Sequence, residues 1–150
     1  MGKMLDSSQM AEEFCARVAR LREDQPARWG RMSAGQMVRH LLDSFQAVSG
    51  ERYVSPKMNW FSRYVMRWGA LHTPIPWPKG VPTRPEIAQD HLGSTPGEWS
   101  SDVAALAERL RTFPRQTRFD SHPIFGEMEL AEWRIWAYRH CDHHFRQFGI

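Results

Sequence analysis

The stretch AYRHCDHHFRQFGI, residues 137–150, puts three histidines, His140, His143 and His144, within five positions. Around them the spacing is that of a helix rich in aromatic side chains. At about 100° per residue, Leu130, Trp133, Trp136, Ala137, Cys141 and Phe148 share one face of a helix over 130–148. His140 and His144 fall inside that apolar arc, one turn apart. Arg139, Asp142 and Arg146 lie off it, and His143 falls at its margin.

One buried imidazole is an ordinary core residue. Two on successive turns are harder to accommodate, because each needs a partner and protonation of either opposes the other. A divalent ion removes the conflict by taking a lone pair from each neutral ring. HxxxH on one helical face is therefore a metal-ligand spacing, and packed, unliganded histidines are the reading it competes with. A third ligand has to come from another helix. His40, in MVRHLLDS, is the candidate, being the other histidine inside a strongly periodic segment. A half-exposed histidine on a helix flank is the alternative. His72 and His91 lie in or beside a proline-rich stretch and read as surface residues. His122 precedes a proline in SHPIFG, an extended turn where it caps, contacts a ligand or is solvated.

Further out, the helical period recurs and no strand alternation is sustained. The expected architecture is all-α, with main helices near 8–24, 34–49, 96–112 and 130–148 and a shorter one near 56–70. The first carries Met10, Phe14, Val18 and Leu21 at spacings of three and four. The second starts at SAGQ, where Ser33 and Gln36 form a capping-box pattern, and carries Met37, Val38, Leu41, Leu42, Phe45 and Val48. Ser55 and Pro56 mark the start of the shorter helix, and Thr95 and Pro96 that of the third main one. Between them TPIPWPKGVPTRP holds five prolines and no regular helix. It reads as a long crossover within a single domain, of the kind that wraps functional sites.

The 150 residues, 41% hydrophobic and 25% charged, suit one soluble domain spanning 1–150. A net charge of +3, spread along the chain, gives no basic stripe for nucleic acid despite a pI near 9.2. Two cysteines without CxxC spacing suit a reduced, cytoplasmic setting. MGKMLDSS has neither the apolar run of a signal peptide nor a myristoylation pattern, and no run suits a transmembrane helix.

Three segments, MSAGQMVRHLLDS, HPIFGEMELAEW and HCDHHFRQFG, resemble the DinB-like metalloprotein superfamily. They look most like its branch known only as a domain of unknown function. The likeness runs from about Arg28 to Ile150 and includes a histidine in the second helix followed by HxxxH in the final one. It implies a four-helix bundle, up-down-down-up, with a long crossover between the second and third main helices. It also implies a divalent ion, nickel, zinc or iron, held by His40, His140 and His144. Characterised members include thiol-dependent S-transferases and a thiol-dependent isomerase, which brings in a low-molecular-weight thiol as a possible second cofactor.

Two functions from different classes follow. The first is a metal-dependent enzyme of transferase or hydrolase type, in which three imidazoles leave a coordination position open for a water or thiol. His122, Phe125, Trp136 and His143 are the candidate substrate-pocket residues, and no catalytic residue is assigned. Asp43 and Glu132 are conceivable acceptors for an imidazole N–H. Cys141 has no activating partner and reads as a core thiol. The second is a non-catalytic, stress-related metal-binding bundle, the superfamily's name deriving from DNA-damage induction. The expected partners are a small-molecule substrate and a second copy in a homodimer, with neither nucleic acid nor membrane.

Overall fold

Ser7 accepts a hydrogen bond from the Met10 amide and starts α1, Ser8–Val18, in the computed structural model, which describes residues 2–150. Ala11, Phe14, Cys15 and Val18 are its buried stripe. The helix stops short of the expected residue 24. Bonds from Arg20 to the Arg17 carbonyl and from Leu21 to that of Val18 tighten the chain into turns. The Gln25 side chain takes the Arg22 amide, and Pro26 disfavours helical backbone before it. Leu21 stays in the core, so the apolar period outlasts the helix.

α2, Ala34–Val48, begins at the anticipated box: Ser33 Oγ accepts from the Gln36 amide, and Gln36 Oε1 accepts from the Ser33 amide. All six apolar positions are buried, and so are His40, Asp43 and Ser44. Burial on that many positions makes α2 the central helix.

The shorter helix begins later than expected. Asn59 and Ser62 cap each other reciprocally, and a π-turn, Ser62–Met66, leads into α3, Arg67–His72. Ser55 instead bonds Glu86 through its amide and receives Arg84 at its carbonyl. From Thr73 to Glu98 the backbone holds only turns and a 3₁₀ turn, Pro85–Ile87. α4, Trp99–Thr112, starts beyond the expected Thr95–Pro96 because Glu98 is the better cap. Its carboxylate accepts from the Ser100 and Ser101 amides, where the helix dipole favours negative charge.

α5, Leu130–Phe148, has the expected span. It runs from a Glu129–Glu132 capping box to Gly149, whose φ of 75° closes the helix in the left-handed region. Leu130 is 37% exposed, not part of the buried face, while Ile135 and Phe145 join it. α1 and α2 both pack on α4, and α5 packs on α2 and α3. Phe14 of α1 meets Tyr138 and Phe145 of α5 at ring distances of 5.0 and 5.5 Å. The described residues contain no strand and no helix long and apolar enough to cross a membrane.

Candidate metal centre

His40 stands on the buried side of α2 because its neighbours in the helical period, Met37, Leu41 and Ser44, all face inward. Across from it α5 presents His140 and His144 on successive turns. One ring nitrogen from each of the three lies within 4.8 Å of the others. His40 and His144 are buried, and His140 is half-buried. The rings meet edge-on or tilted, with centroids 4.7–5.2 Å apart.

Hydrogen bonds on the far sides of the rings settle two tautomers. His40 Nδ1 is 2.9 Å from the Ile87 carbonyl oxygen, which can only accept, so Nδ1 carries the proton. His144 Nδ1 is 2.8 Å from Gln147 Oε1. The Gln147 amide is itself oriented by its Nε2 donating to the Trp29 carbonyl at 2.9 Å. Both histidines are left with Nε2 as a bare lone pair. His40 Nε2 and His140 Nε2 stand 3.2 Å apart. Two imidazole nitrogens on one tetrahedral ion, with bonds of about 2.0–2.1 Å, would stand about 3.3 Å apart.

A plain hydrogen bond between those two rings would require the proton on His140 Nε2. His140 Nδ1 is buried with no partner, so it is unsatisfied whether it is the lone pair left by that hydrogen bond or the N–H opposite a metal-bound Nε2. Protonating the cluster is opposed. Burial pushes the pKa of His140 and His144 well below the imidazole range, and the neighbouring rings add to the shift. Burial also lowers His40, against the opposing pull of the Ile87 carbonyl and the Asp43 charge. Three neutral rings with converging lone pairs form the donor set that a divalent cation takes. The residues fit such an ion.

The chain matches the family described as "Protein of unknown function (DUF1569)" over residues 4–149. It belongs to that family. No curated protein and no solved structure matches it. The DUF1569 match runs from before α1 to the last turn of α5 and includes all three histidines.

The other expected residues of this DUF1569 chain divide into two groups. Trp136 packs on His140 at 5.1 Å, and half-buried His143 lies against Trp29, Trp77 and His144. His122 and Phe125 stack on one another at 4.5 Å and touch the centre only through Trp136. His122 Nδ1 accepts from the Ile124 and Phe125 amides, so it holds its own turn together. His72 and His91 are exposed, as expected.

Asp43 and Glu132 hydrogen-bond to none of the three imidazoles. Asp43 accepts from Ser94 and Gln89, and Glu132 pairs with Arg67 and His72. A carbonyl, Ile87, and an amide, Gln147, take the places imagined for those carboxylates. Gln147 was findable, standing three residues after His144 on the same helical side. Ile87 and Trp77, whose ring lies 5.7 Å from His140, come from the proline-rich stretch and carry no local signal. Cys15 and Cys141 are buried, and burial pushes both thiols up, away from nucleophile chemistry.

Proposed function

We propose that the chain is a DinB-like metalloprotein holding one divalent ion on His40, His140 and His144. In this reading α1, α2, α4 and α5 form a single-domain bundle in up-down-down-up order. The proline-rich stretch is then the crossover between the second and third main helices. The observation that carries the reading is the pair of locked tautomers. The Ile87 carbonyl and Gln147 each hold a proton on Nδ1 and leave Nε2 as a lone pair, that of His40 3.2 Å from His140 Nε2.

When bound, a nickel, zinc or iron ion lowers the pKa of a water or low-molecular-weight thiol and makes an anionic nucleophile available near neutral pH. The protein's part is orientation and shielding. Ile87 and Gln147 fix two rings against rotation, as outer partners of metal-bound histidines do. Trp136 and Trp77 pack against His140 at ring distances of 5.1 and 5.7 Å. His140 keeps some exposure, so a small-molecule substrate approaches on its side. His143 is held neutral by burial and offers a ring nitrogen as a proton acceptor beside that approach. The reaction class is a thiol transfer or a hydrolysis.

Mass-spectrometric metal analysis of protein purified without an affinity tag tests the reading. About one ion per chain is expected. A chain that stays metal-free after incubation with nickel, zinc and ferrous salts would sink it. Screening thiols against electrophilic substrates then separates the enzyme from a non-catalytic metal-binding bundle.

A further inference from the structure

The segment from Arg52 to Pro85 differs from the rest of the chain. It holds six of the 20 Lys and Arg residues and none of the 17 Asp and Glu. Of the twelve large hydrophobic side chains exposed among the described residues, ten lie between residues 53 and 81. They concentrate on the helical segment over 60–72. Its protein side is narrow: Ser62 bonds the Ile124 carbonyl, Arg67 bonds Glu132, and Leu71 is buried. The wider π-turn gives these anchors a spacing of five and then four. Between them Arg63 to Met66 and Trp68 are exposed, while Gly69 and half-buried Ala70 lie closer to the core. Trp60 is 70% exposed, Trp68 62% and Tyr64 59%, with Phe61 and Val65 beside them. Lys57 and Arg63 are exposed next to this face, and no ion pair among the described residues engages either.

We infer that this face docks on a membrane surface bearing anionic lipids, with the 60–72 helix lying in the plane of the interface. Tryptophan and tyrosine carry an apolar body and a polar edge, which suits the headgroup boundary, while Phe61 and Val65 enter the acyl region. Lys57 and Arg63 meet the lipid charge, and no carboxylate in the segment opposes it. The expectation of no membrane partner came from the lack of a spanning segment, which does not bear on a helix that lies flat. A second copy fits this face less well. A two-fold contact sets a patch against itself, so the uncompensated cations would oppose one another. Single-stranded nucleic acid would use the same rings and cations, so competition by oligo-dT is one of the outcomes of the test.

The test is flotation of the full chain with phosphatidylcholine vesicles and with vesicles of phosphatidylcholine and phosphatidylglycerol at seven to three. The chain is expected to float with the anionic vesicles at least tenfold more than with the neutral ones, less as salt rises. Its tryptophan emission should be quenched by lipids brominated in the acyl chain. Trp60→Glu with Trp68→Glu should abolish flotation, and Trp60→Phe with Trp68→Phe should remove the quenching while preserving flotation. Both pairs are exposed, so the melting temperature serves as the control for folding. No flotation with either vesicle would overturn the inference. So would flotation without quenching, a dimer in which the two tryptophans become protected, or competition of vesicle binding by oligo-dT. None of these readouts depends on the metal reading.

Discussion

A ring on a helix edge and a ring in the middle of its inner face answer differently to removal, though they are neighbours in sequence. His140→Ala and His144→Ala are expected to lose most bound metal, and His40→Ala nearly as much, because two ligands on one helix lack a clamp from a second helix. His143→Ala should keep the ion, and His72→Ala and His91→Ala should be silent. Metal per chain by mass spectrometry decides this, and an empty site in His143→Ala with a full one in His144→Ala would break the ligand assignment. Gln147→Leu removes the acceptor from His144 Nδ1 and should weaken metal binding about 10–100-fold without abolishing it. His122 tests a different property. Burial lowers its pKa to about 3, below the value of about 6.5 it has when unfolded. Its contribution to stability is therefore complete above pH of about 6.5 and is lost as the pH falls toward 3, by about 1.4 kcal/mol per pH unit. His122→Asn keeps an acceptor for the two turn amides and should flatten that part of the pH–stability curve measured by urea unfolding. An unchanged slope would mean that His122 is protonated in the fold.

Asp43 shows how an element without regular structure is held over a helix. Its carboxylate collects the Ser94 amide and hydroxyl and the Gln89 amide, with Arg52 3.6 Å away. The Ile87 carbonyl on His40 belongs to the same stretch, so Asp43 acts on the centre through the loop. Asp43→Ala leaves those donors without their acceptor and should cost about 2–4 kcal/mol. Hydrogen exchange should rise across 85–95 while α1 and α4 stay protected. If exchange rises equally over the whole chain, the loop is not an independent layer.

At the scale of the whole molecule, a bound ion adds stability by mass action. Free metal at a thousand times its dissociation constant contributes about 4 kcal/mol. For a chain of this size that is a melting temperature higher by roughly 10 °C, from about 2–4 °C per kcal/mol. A chelator should remove this increment at neutral pH. Acidification should remove it too, since protons compete for the same lone pairs. Differential scanning calorimetry at pH 7.5 and 5.5, with and without chelator, checks both. A melting temperature indifferent to chelator would identify the histidines as packed core.

The all-helical class, the span of α5 and the Ser33–Gln36 cap were legible locally, because helical period and capping depend on residues three and four apart. The convergence of His140 and His144 on one face was legible for the same reason. Helix ends were less so: Leu21 keeps the apolar period after the backbone has left the helix, and Glu98 outcompetes Thr95 as a cap through charge. What only the tertiary structure decided is the chemistry of the rings. Whether a nitrogen of His40 is a donor or a lone pair depends on the carbonyl of Ile87, 47 residues away. The partners of Asp43 and Glu132 likewise arrive from the proline-rich stretch and from α3. Such contacts are set by how the layers pack, and no periodicity within a segment encodes them.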